Sequence, residues 1–67
     1  MPSKQITLDV ADGDEAAYLT LPDHPGRGVH GVVSGQVRLV DVLPYVGPDI
    51  YLDFDHEGRL IGVEVLV

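Results

Sequence analysis

Residues 53–64, DFDHEGRLIGVE, follow the calcium-loop spacing D-x-[DN]-x-[DN]-G-x₅-E at every position but one. In that template Asp53, Asp55 and Glu57 give the first three oxygen ligands, Gly58 makes the sharp turn, the Arg59 carbonyl adds a fourth and Glu64 closes the site with both carboxylate oxygens. Glu57 is the departure, standing where Asp or Asn is usual. His24, His30 and His56 form a second set with ligating capacity, with Asp23 beside the first, although their spacing matches no zinc template. The same His24 and His30, with nearby acids, are the residues from which an enzyme site at a subunit junction would be built. For nucleophilic chemistry the chain offers Ser34, in a predicted tight turn, and Ser3, near the start of the chain. Neither is placed as a nucleophile, and no catalytic residue or cofactor is expected. The glycines of GRGVHG lack the strand and helix that make a phosphate cradle.

The elements that must carry these residues decide between the readings. PDIYLDF before the turn and LIGVEVLV after it alternate with period two, as strands do, whereas the calcium loop sits between helices. On a strand Glu64 is carried about 20 Å from the loop tip, at ~3.3 Å per residue, and cannot fold back to close a site. A hairpin turn accounts for the same residues: Asp55-His56-Glu57-Gly58 turn the chain, Gly58 takes positive φ, and Arg59 offers its charge to Asp55 or Glu57. A non-helical divalent-metal site of Asp53, Asp55, His56 and Glu57, in a metal-binding accessory domain, is the alternative that remains.

Alternation recurs along the chain. Ile6, Leu8 and Val10; Ala17, Leu19 and Leu21; Ile50, Leu52 and Phe54; and Ile61, Val63 and Val65 each alternate with neighbours that are, Leu66 apart, small, polar or tyrosine, predicting four strands. ADGDEA and DHEGR join them pairwise, each with a glycine suited to a hairpin turn. Between the pairs, VHGVVSGQVRLVDVLP predicts a further hairpin turning at Ser34-Gly35. Residues 36–46 are ambiguous between strand and helix, Val content and Pro44 favouring strand. The expected fold is all-β: a single domain over 1–67, a small antiparallel meander or curled sheet of about 5–6 strands with at most one short helix.

Eleven Asp and Glu against four Lys and Arg give a formal net charge of −7, with Lys4, Arg27, Arg38 and Arg59 scattered singly. Nucleic-acid binding, which needs clustered cations, is excluded. There is no cysteine, hence no disulfide framework or thiolate metal site. MPSKQITLDV lacks a charged segment followed by an apolar run, and no stretch approaches a membrane span, so a soluble cytoplasmic protein is expected. A chain of 67 residues builds a small core, and self-association is the staple left to it. Its apolar strand positions share one face with no helix to cover it. Either the sheet closes into a barrel or copies pack together, and a homo-oligomer, with a dimer favoured, is the expected partner, beside a protein partner of unknown identity. Tyr18, Tyr51, Glu64 and Leu66 fall on the second face and are candidates for a further contact surface.

Two segments resemble a known family. DVADGDEAAYLTL, through Ala17-Tyr18-Leu19-Thr20-Leu21, and DFDHEGRLIGVEVL, through Asp53, Asp55, Gly58, Leu60, Gly62, Glu64 and Leu66, look like the small bacterial domain-of-unknown-function family 2283 (DUF2283). That resemblance implies a compact, β-rich bacterial domain and carries no activity or catalytic residue with it. Gly62 and Glu64 stand out in this hairpin. Either Gly62 permits a close approach and Glu64 pairs with Arg59 or Arg38, or Gly62 marks a bulge and Glu64 is an edge-strand charge.

Overall fold

The computed structural model describes residues 5–26 and 31–67, and the chain in it is one open five-stranded antiparallel sheet. β1 (Thr7–Val10), β2 (Ala16–Thr20), β3 (Gly35–Arg38), β4 (Asp49–Phe54) and β5 (Leu60–Leu66) lie in the spatial order β1-β2-β5-β4-β3. Both hairpins written in the sequence form. β1 and β2 turn through Gly13 and Asp14, both at positive φ, and β4 and β5 turn through Gly58 at φ 79°. The last strand then slots between β2 and β4, so pairing of β2 with β5 joins the two hairpins, and β1 and β3 are the edge strands of the described sheet. The closed-barrel alternative is thereby set aside.

The predicted hairpin at Ser34-Gly35 does not form. Gly35 opens β3, residues 31–34 carry no strand, and the Ser34 N–H donates to the Phe54 carbonyl at 2.8 Å, extending the pairing with β4. Val29 and His30 lie outside the described residues. The ambiguous stretch splits: Gly35–Arg38 is strand and Leu39–Asp41 a 3₁₀ turn, because Val-rich sequence disfavours continuing a helix and Pro44 removes a donor. Beyond it Val42, Leu43 and Val46 are exposed.

Cross-strand partners share a face and successive residues alternate, so the register sorts the whole sheet. One side carries the rows Leu8–Leu19–Val63–Leu52–Val37 and Val10–Ala17–Val65–Ile50, without a single polar side chain. The other carries Asp9–Tyr18–Glu64–Tyr51–Arg38 and Thr7–Thr20–Gly62–Asp53–Gln36. Among the described residues no second sheet or α-helix covers the apolar side. Leu8 and Val10 are exposed, its other members are only half-buried, and Ile61 is the one fully buried hydrophobic residue among those described. Ile61 is also the extra residue of a β-bulge, since Asp53 pairs with Gly62 but Phe54 with Leu60. Among the described residues no helix is long and apolar enough to cross a membrane.

Candidate functional site

The polar side is organised around a buried carboxylate. Asp53 is 6 % exposed, although strand alternation predicts that it points to solvent. It is desolvated because Tyr18, two strands away, leans across β5 and donates its hydroxyl to Oδ2 at 2.9 Å, while Gln36 Nε2 donates to Oδ1 at 2.9 Å. A buried carboxylate is tolerable only when donors satisfy both oxygens, and here two neutral donors do so. Burial first, then the hydrogen bond to Asp53 and the charges of Asp53 and Glu64, push the Tyr18 hydroxyl from 10.0 up to about 12.

Gly62 makes this possible. A Cβ built there would collide with the Tyr18 hydroxyl and ring, so only glycine lets the phenol pass over β5 to Asp53. The close approach is at Gly62 itself, and the bulge falls on Ile61, the residue before it. Glu64 is not an edge charge, since β5 is the central strand. It stands between Tyr18 and Tyr51 in register, while Arg38 bonds Asp49 at 2.8 Å and Arg59 is taken up by the turn. Tyr18, Tyr51, Glu64 and Leu66 thus do share one side of the sheet, as alternation predicts.

The 55–59 turn is closed upon itself. Asp55 Oδ1 accepts the N–H groups of Glu57 and Arg59, each at 2.9 Å, and Oδ2 accepts Arg59 Nε at 2.8 Å. The Arg59 N–H bond, helped by its guanidinium and the Glu57 N–H, holds the Asp55 carboxyl below the usual carboxylate range. Arg59 also pairs with Glu57 at 2.6 Å. The four residues of the candidate metal site are accordingly not gathered: Asp53 is buried on the polar side, Asp55 is spent on its own turn, Glu57 faces Arg59, and His56 Nε2 lies 2.9 Å from the Gly31 carbonyl. Among the described residues no group of three His, Asp or Glu could hold a metal ion.

A cleft of about 520 Å³ opens on the polar side, lined by Thr7, Asp9, Tyr18, Thr20, His24 and Gly26 among others. Its walls come from β1, β2 and, beyond β2, from His24, Gly26 and Val32. His24 Nδ1 accepts the Gly26 N–H at 2.9 Å, which leaves the neutral ring its proton on Nε2, and the ring meets Tyr18 edge to face. No serine stands among the lining residues, so Ser34 is not brought to His24 there; the hydroxyls that share the cleft are those of Thr7, Thr20 and Tyr18. His30, the partner proposed for His24, lies outside the described residues. The sequence missed Asp53 as a buried group and Gln36 altogether; a glycine placed opposite Asp53 on the paired strand was the available signal.

No curated protein matches this chain, and no solved structure does. The family model described as "Protein of unknown function (DUF2283)" matches residues 12–67, from the β1–β2 turn to the last residue, taking in Tyr18, Asp53 and Gly62. The chain that builds this open sheet therefore belongs to the DUF2283 family.

Proposed function

We propose that this chain is a non-enzymatic β module that works by self-association. The apolar side of its sheet carries the reading: two cross-strand rows of aliphatic residues, one spanning all five strands and one spanning four, and among the described residues no second sheet or α-helix lies over them. A sheet stabilises itself by covering one face, and a one-layer sheet with one fully buried hydrophobic residue falls short of that. The polar side supports the same reading from the other direction. Its buried acid, Asp53, has both oxygens satisfied by Tyr18 and Gln36, as in a structural hydrogen-bond network.

Thermal unfolding followed by circular dichroism across a hundredfold range of chain concentration tests this. Association through native contacts makes Tm rise with concentration, and the rise is expected to be the same in calcium and in EDTA. A Tm independent of concentration contradicts self-association, and one raised by calcium alone supports the metal-binding alternative.

A further inference from the structure

Resting on that reading, we propose that the apolar side of the sheet is covered by the same side of a second copy, two sheets packing face to face across a two-fold axis with β5 over β5. Three observations identify the occupant. The first is area. The chain exposes 4898 Å², where a compact folded chain of its mass exposes about 4100 Å². That surplus over the whole chain, about 800 Å², is of the size each partner contributes to a standard stable interface. The shape agrees: the radius of gyration is 12.7 Å, against about 11 Å for a compact domain of this length.

The second is charge. At a formal net charge of −7 two copies repel, and the polar side gathers Asp9, Asp49, Asp53 and Glu64. The apolar side holds no ionisable group, so it is where a like-charged copy meets the fewest carboxylates. A surface without charge meets its own copy with no like-charge clash, as a two-fold interface requires. The third is symmetry of position. β5 is central, and Val63 lies midway in the row Leu8–Leu19–Val63–Leu52–Val37, so a two-fold axis near Val63 superposes nearly the whole of both apolar sides. Sheets packed this way lie about 10 Å apart with their side chains interleaved. Pairing through the β1 edges would leave both apolar sides bare.

The chain has no cysteine, so single-cysteine variants report the arrangement directly. Val63→Cys places a thiol at the predicted axis and Glu64→Cys, one residue on, places it on the outer side. With diamide as oxidant, Val63→Cys is expected to form the disulfide-linked dimer at least ~10-fold faster than Glu64→Cys, because association makes its reaction effectively intramolecular. A second pair, Leu52→Cys against Tyr51→Cys joined by a short bis-maleimide, repeats the comparison should Val63→Cys fold poorly. A dimeric protein in which the outer-side thiols react as fast or faster overturns the face-to-face arrangement and leaves self-association standing. Slow cross-linking of every variant, with a monomer at all concentrations, overturns both.

Discussion

Tyr18, Asp53 and Gly62 form one unit. A phenol is held over a glycine to satisfy a buried acid, and each part depends on the others. Tyr18→Phe removes one of the two donors to Asp53 and is expected to cost about 1 kcal/mol at neutral pH. The pH dependence adds a second signature. Since the Tyr18 hydroxyl titrates at about 12 in the folded chain against 10.0 ordinarily, the unfolded chain ionises first as pH rises. Wild type therefore loses stability between pH 10 and about 12 in a way Tyr18→Phe does not, and the gap between them narrows there in urea titrations. Gly62→Ala drives a methyl into the Tyr18 hydroxyl and is expected to cost about 1–3 kcal/mol. Combined with Tyr18→Ala it should cost less than the sum of the single changes by ~0.5 kcal/mol or more, which a double-mutant cycle measures; strict additivity would disconnect the two residues.

At the scale of elements, the β4–β5 turn is fixed by Asp55, whose three acceptor bonds hold Glu57 and Arg59 in place. Asp55→Asn keeps the shape and loses the charge, so the variant is expected to melt below wild type at neutral pH. Its folded-state carboxyl lies below the ordinary 3.8, so the stability it brings is present above that value and is lost as pH falls through the lower folded one. The melting gap should close in acid, and a gap unchanged down to pH 2 would contradict this role. The calcium-like spacing of DFDHEGRLIGVE is explained by the same geometry: an Asx turn needs Asp55 and Gly58 where a metal loop also places them. Strands, both hairpin turns and the Arg59 pairing were legible because period-two alternation and turn glycines are local signals. The insertion of β5 between β2 and β4, and with it the burial of Asp53, was not, because pairing between distant segments leaves no mark in a local pattern. The Ser34-Gly35 turn failed for a related reason. Those residues open an edge strand on β4 rather than folding back on the chain before them.

For the whole molecule the sheet has two unlike sides, and the central claim is that the apolar one is an interface. The chain carries its acids in the turns and on the polar side, the side that such an interface would leave outermost. Absolute molar mass by light scattering on a sizing column, across a hundredfold dilution and in both calcium and EDTA, tests that claim most directly. The account predicts a mass of twice the 7.2 kDa chain in both buffers, dissociating only towards the dilute end. A well-folded species of 7.2 kDa at every concentration would contradict it.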